Sequence, residues 1–281
     1  MNQDDALERF RASVSVDEER INLAEAAFLI GEDEKPGLDT RHYLGELDRL
    51  GHTLRSRLPS DFSPVHRLLA LNRYLFVELG FHANQENYYD PANNLLHCVL
   101  ERRSGIPITL SIVYLEIGRR IGLNLRGISF PGHFLVKLPV ADGDLILDPY
   151  AKGRSLSEAE LRARLGELAR DIDPAELPLR PFLEPASKRE ILARVLRNLK
   201  AIHLKGEALP QALSAMNRLL IVVPEDANEW RDRGLLLQHL ECPRAAVADI
   251  ESYLALAPDA EDAADMHQRI LELRRQASLL N

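Results

Sequence analysis

Residues 104–150 read SGIPITLSIVYLEIGRRIGLNLRGISFPGHFLVKLPVADGDLILDPY, and their hydrophobic period changes half-way. In the first part, Ile108, Leu110, Ile112, Val113, Leu115, Ile117 and Ile121 surround a helix axis instead of forming one stripe. That pattern predicts a helix buried on every side. Ser104, Gly105 and Pro107 signal its start, because proline is tolerated in a first turn. The period then becomes that of strands: residues 125–130 read as a strand, 133–138 alternate, and 145–147 are apolar after Ala-Asp-Gly-Asp. A central helix followed by three short strands predicts an α+β core. His133 and Asp148 fall at the same end of the second and third strands. A two-residue turn places His133 beyond Asp148, whereas a four-residue loop places them opposite, with Cβ atoms about 5 Å apart. A histidine beside an aspartate supplies two members of a catalytic triad and raises the question of a nucleophile. The structural alternative is a strand-end histidine held by a carboxylate, with Asp148 before Pro149 accepting turn N–H groups.

Upstream, the chain reads as helices. Ser15-Val-Asp-Glu18 has the form of a capping box, predicting a helix to about Ile30. Asp39 or Thr40 caps a second, with Tyr43, Leu44, Leu47 and Leu50 on one stripe. A third spans about Pro64 to Leu79. The polar segment 84–94 follows, and Asn93 or Asn94 is expected to cap a helix through Arg103.

Downstream, the Pro-rich stretch 173–188 reads as a linker, and everything after it as helix. The expected domains are therefore 1–180 and 181–281. Pro224 and Pro258 lie 34 residues apart, the tetratricopeptide period. Trp230, Gly234, Leu237 and Ala246 fall at consensus positions of that repeat. One period earlier, Ala212, Met216 and Leu219 match Ala246, Ile250 and Tyr253, but Leu196 and Lys200 replace the Trp and Gly. About two repeats and a closing helix are expected.

The 281 residues are 46% hydrophobic and 28% charged, with net charge −8 and pI about 5.6. An acidic chain without a basic stripe argues against nucleic acid. No apolar run reaches the roughly 18 residues that span a bilayer. MNQDDALERF lacks the form of a leader, and the two cysteines, Cys98 and Cys242, suit a reducing compartment. A cytoplasmic protein with no metal and no cofactor is expected.

NYYDPANN (87–94), RRSGIPITLS (102–111) and FPGHFLV (130–136) together resemble the bacterial SirB-type family, a transglutaminase-like domain followed by tetratricopeptide repeats. The resemblance covers nearly the whole chain. It implies a helix-rich transglutaminase-like (cysteine-proteinase-like) domain with a small antiparallel sheet, then an all-α repeat domain. In the wider superfamily a Cys at the start of the central helix attacks an amide, a His takes its proton and an Asp orients the His. The resemblance places the His at His133 and the Asp at Asp148. The Cys position falls on Pro107, about 15 residues before the helix exit at Gly122–Arg126, and a pyrrolidine ring is no nucleophile.

Three residues could substitute. Ser111 lies one turn beyond Pro107 on the same face, Thr109 about 200° around the axis, and Cys98 on the preceding helix. A hydroxyl bonded back to the helix and a thiol packed in the core are the structural alternatives. Asn87, Tyr88, Asp90 and Asn94 either line the cleft above His133 or cap turns, with Tyr88 and Tyr89 packed on the central helix. Arg102 and Arg103 either attract an anion or end a helix. The preferred expectation is a non-catalytic module that binds a protein or peptide through the cleft or the repeats. The alternative is a hydrolase or acyl-transfer enzyme acting on amides, with a relocated nucleophile, Ser111 first, and His133 as base.

Overall fold

Every residue from Pro107 to Gly118 is buried in the computed structural model of the chain, which describes residues 3–141, 143–168 and 178–279. Contacts divide the chain into two units, Met1–Val195 and Leu196–Asn281. The first holds helices α1 (Gln3–Val14), α2 (Leu23–Ile30), α3 (Thr40–Arg55), α4 (Pro64–Asn72), α5 (Leu96–Arg102), α6 (Pro107–Arg120) and α7 (Glu158–Leu168). Two short strands, β1 (His82–Ala83) and β2 (Ser104–Gly105), pair in parallel. Strands β3 (Arg126–Ile128), β4 (Leu135–Val140), β5 (Gly143–Asp148) and β6 (Arg154–Leu156) form an antiparallel sheet in chain order.

Helix α6 is the axis of this unit. Helices α2, α3, α4 and α5 pack around it, as do strands β3 and β4. Its apolar residues face all directions because neighbours lie in all directions. Each such Ile or Leu contributes about 1.5–3 kcal/mol by leaving water. Gly118 permits one close approach: a Cβ there would lie 2.3 Å from Leu125 Cδ1. On the sheet, Ile128, Leu135, Ile146 and Leu156 gather with Leu161 and Leu165 of α7 in one apolar cluster.

Several boundaries differ from expectation. The Ser15 capping box does not form. Glu18, which would close it, instead accepts the Lys188 backbone N–H and pairs with Arg189 at 3.0 Å. Helix α1 therefore ends at Val14, and α2 starts anew with Asn22 accepting Glu25 N–H at 3.3 Å. Asp39 caps α3 as expected, through His42 N–H at 3.1 Å. Ser63 caps α4, but the helix widens to a π turn at Arg73–Glu78 instead of running evenly to Leu79. Asn93 and Asn94 do not cap α5; they lie in a 3₁₀ turn, Pro91–Asn94, and Leu95 holds the cap position. Strand β4 starts at Leu135, so His133 precedes it on a turn. The hairpin's last pair is Val140 with Gly143, a two-residue connection. Its Asp142 lies outside the described residues. So do 173–177 of the expected linker, while Arg180–Leu183 is a 3₁₀ turn.

Helix α8 (Lys188–Lys205) crosses the division at 195 and 196. The second unit continues with α9 (Leu209–Val222), α10 (Ala227–His239), α11 (Pro243–Leu256) and α12 (Ala263–Leu279). The repeat positions explain themselves by packing. Ala212, Ala246 and Ile250 are fully buried, and Trp230 donates its indole N–H to Pro224 O at 2.8 Å. Arg233 grips Asp249 with two bonds of 2.6 and 2.7 Å, tying α10 to α11. Gly234 lies against the same helix: a Cβ there would meet Ile250 Cγ1 at 2.9 Å and Asp249 Cβ at 3.2 Å. Gly234→Ala should therefore separate α10 from α11, at a cost of about 1–3 kcal/mol in chemical denaturation of the repeat unit. An unchanged or higher stability would show that the helix contact yields freely.

Candidate functional site

His133 is presented by a tight turn. Gly132 has φ +68°, a conformation a side chain strains, and it lets His133 N–H donate back to Phe130 O at 3.1 Å. Asp148 ends β5. The pair following Val136 and Leu147 in the β4–β5 register is Leu135 with Asp148, so His133 lies beyond Asp148 along the hairpin. The imidazole crosses that gap: His133 Nε2 lies 2.9 Å from Asp148 Oδ1. The aspartate side chain is 1% exposed and the histidine 17%.

Asp148 has three partners. Besides His133, Oδ1 accepts Ala151 N–H at 3.2 Å, capping the 3₁₀ turn Pro149–Ala151. Oδ2 accepts Arg164 Nη2 of α7 at 2.9 Å. Burial alone would push this carboxyl up, but the bonds and charges of His133 and Arg164 outweigh it and hold its pKa below the ordinary value. An ionised carboxylate only accepts, so Nε2 carries the shared proton. In the neutral ring Nδ1 then keeps its lone pair. Tyr150 closes one side of the imidazole edge-on, with ring centroids 5.8 Å apart at 77°.

Among the described residues, none of the substitute nucleophiles shares a hydrogen bond with this couple. Ser111 is fully buried, and its Oγ has no hydrogen-bond partner. Thr109 is occupied: its Oγ1 donates to Asn93 O at 2.7 Å and accepts Ile106 N–H at 3.2 Å. Cys98 Sγ lies 3.2 Å from His97 Nε2, a different histidine. Burial raises the Cys98 thiol pKa and lowers that of His97, so both groups favour their neutral forms. Pro107 is the buried first residue of α6.

The 87–94 segment folds around Asn93, expected from the sequence only as a helix cap. Asn93 Nδ2 donates to Asn87 O at 2.7 Å and Tyr88 O at 3.2 Å, and its Oδ1 accepts Asn84 Nδ2 at 3.0 Å. Asp90 accepts Ala92 N–H at 2.9 Å and pairs with Arg102 at 3.0 Å, so the turn-capping role holds for Asp90. Arg102 is thus the partner of an acid, and Arg103 Nη1 donates to Leu79 O at 2.7 Å. Asn94 is buried, and both its side-chain N and O lack partners. Tyr88 and Tyr89 do not pack on α6. They meet edge-on at 5.4 Å and are exposed, Tyr89 at 67%. Tyr88 lies within electrostatic range of Tyr150 and Arg194, and burial is the main cause that raises its phenol pKa. Tyr150 was legible two residues past Asp148. Arg164 and Arg194 had no local signal, because α7 and α8 bring them in.

Residues 41–197 match the model of the transglutaminase-like superfamily, and 199–270 match a tetratricopeptide repeat model. A UPF0162 protein of Xylella fastidiosa (strain Temecula1) is 38% identical over 262 residues, 93% of this chain and 93% of that protein. The chain belongs to the UPF0162 family. Another member, from Pseudomonas aeruginosa, is 35% identical over 89% of this chain and 90% of its own. Protein SirB1 of Salmonella typhimurium is 27% identical over 84% of this chain and 87% of its own. A transglutaminase-like domain joined to tetratricopeptide repeats supports a protein-interaction or regulatory role. Among the described residues no helix is long and apolar enough to cross a membrane.

Asp148 is the residue to test first. Its folded pKa lies below its unfolded one, so its contribution is complete at neutral pH. That contribution is lost as pH falls through the ordinary carboxylate range, about 3.9, toward the lower folded value. Asp148→Asn leaves Arg164 without its acid and should cost about 2–4 kcal/mol at pH 7 in urea unfolding. The gap from wild type should narrow below about pH 4. A gap independent of pH would contradict the charged, paired carboxylate.

Proposed function

We propose that this chain is a transglutaminase-like protein without the superfamily's acyl-transfer chemistry, and that it holds a protein or peptide partner through its cleft and repeats. The observation that carries the reading is the His133–Asp148 couple, 2.9 Å apart, and an α6 that opens on Pro107, the position to which the family resemblance assigns the nucleophile. Thioester chemistry needs a thiolate or an activated hydroxyl beside the base. Among the described residues no thiol or hydroxyl shares a hydrogen bond with the His133 ring. Ser111 is sealed in the core, Thr109 is bonded to backbone, and Cys98 faces His97. What remains is a polar, partly open end of a sheet and a helical array. Both are surfaces on which a chain segment docks without reaction, as helical repeats do elsewhere.

The second reading keeps an enzyme. Among the described residues, neither His133 Nδ1 nor Ser111 Oγ has a hydrogen-bond partner. A rearrangement that joins them would make a serine hydrolase or acyl transferase with His133 as base.

Labelling separates the two. Fluorophosphonate should leave Ser111 unmodified in the folded chain. Iodoacetamide should take exposed Cys242 well before Cys98, and His133→Ala should alter neither pattern. In Pro107→Cys, the new thiol should gain from both the helix start and His133. It should react near pH 6.5 at least about tenfold faster than Cys242, and His133→Ala should remove the excess. His133-dependent labelling of Ser111 or Cys98 in the natural sequence would sink the non-catalytic reading.

A further inference from the structure

Beside the turn that presents His133 lies a cation that the His133–Asp148 couple does not use. Arg194, on α8, is half-buried. Its Nη1 donates to Ser129 Oγ at 3.0 Å and to Phe130 O at 3.1 Å, and its guanidinium lies 5.9 Å from the Phe134 ring centroid. Phe130 O also accepts the His133 backbone N–H at 3.1 Å. Arg194 is therefore fastened to the very turn that presents His133, and the two nitrogens lie within about 6 Å of each other.

Arg194 pairs with no acid among the described residues. Its neighbours differ in this. Arg164 pairs with Asp148 at 2.9 Å and Arg102 with Asp90 at 3.0 Å. Burial lowers the Arg194 pKa. Guanidinium stays charged in proteins, so a half-buried one without an acid carries an unmet electrostatic demand. Nη1 is spent on the turn, while Nε and Nη2 have no hydrogen-bond partner among the described residues. Two parallel N–H groups match the two oxygens of a carboxylate. Tyr88 is exposed, and Tyr150 lies edge-on to His133.

We infer that Arg194 makes the His133 cleft a carboxylate-binding site, taking the C-terminal or acidic side-chain carboxylate of a peptide segment between Tyr88 and Tyr150. This rests on the cleft being a place where a peptide docks. A planar carboxylate suits one fork; a phosphate would call for further cations, and the other two arginines are committed.

The test follows the His133 ring signals by NMR in the full chain during titration with small probes. N-benzoylglycine carries a backbone carboxylate, N-benzoylglycinamide is its neutral counterpart, and the α-amide of N-acetylglutamate carries only a side-chain carboxylate. N-benzoylglycine should shift His133 at a concentration at least about tenfold lower than its amide, the size of a charge-assisted contact. The glutamate probe decides the source: equal potency assigns acidic side chains, and weaker binding assigns chain ends. Arg194→Gln should abolish the preference, and Arg194→Lys, which keeps the charge, should retain part of it. Equal responses of the natural chain to N-benzoylglycine and its amide would overturn the inference without any variant. So would no response to any probe. Failure of the non-catalytic reading would appear separately, as conversion of N-benzoylglycinamide to N-benzoylglycine in the same tube.

Discussion

The buried carboxylate of Asp148 is the constraint around which the sheet end is arranged. One oxygen meets His133 and the N–H that closes the Pro149–Ala151 turn, and the other meets Arg164. A charge with 1% exposure is tolerated only when its hydrogen bonds replace water, and here they do. The consequence reaches outward. The turn capped by Asp148 leads to Gly153, whose carbonyl accepts Asn72 Nδ2 at 3.1 Å, and Asn72 Oδ1 accepts Tyr114 O–H of α6 at 2.6 Å. Sheet end, α4 and central helix are thus joined through polar contacts among apolar packing.

The same constraint defines what the site can do. Asp148 fixes His133 through Nε2 and leaves Nδ1 facing the cleft. This arrangement would serve a base, yet it also serves as one wall of a docking surface. Chemistry depends on what lies opposite Nδ1. A proline opens α6, and the nearby hydroxyls and thiol are sealed, bonded or turned to His97. Arg194 is fastened to the turn that presents His133 and pairs with no acid among the described residues, which is the ground for inferring recognition of a charged group.

Much of this was legible in the sequence because the responsible forces are local. Apolar residues on every side of 108–121 can only mean a helix with neighbours all round, and α6 is that helix. The 34-residue spacing of Pro224 and Pro258 reports a repeated helix pair, and Gly234 lies where two helices touch. His133 and Asp148 were legible as a pair because a hairpin brings its ends together. What was not legible depends on distant chain. Glu18 fits a capping box until α8 supplies Lys188 and Arg189. Residues 65–79 contain no proline or glycine to announce the π turn that follows α4. Arg164 and Arg194 gain meaning only after α7 and α8 are placed, so spacing alone could not find them.

The most direct measurement is the tautomer and environment of the His133 ring, by nitrogen-detected NMR of the natural chain and of Ser111→Ala and Cys98→Ala. The account predicts a proton on Nε2, an unprotonated Nδ1 in the neutral ring, and nitrogen signals that neither substitution moves. A proton on Nδ1, or an Nδ1 signal displaced by Ser111→Ala or Cys98→Ala, would contradict it. That result would place a nucleophile on the ring and return the site to catalysis.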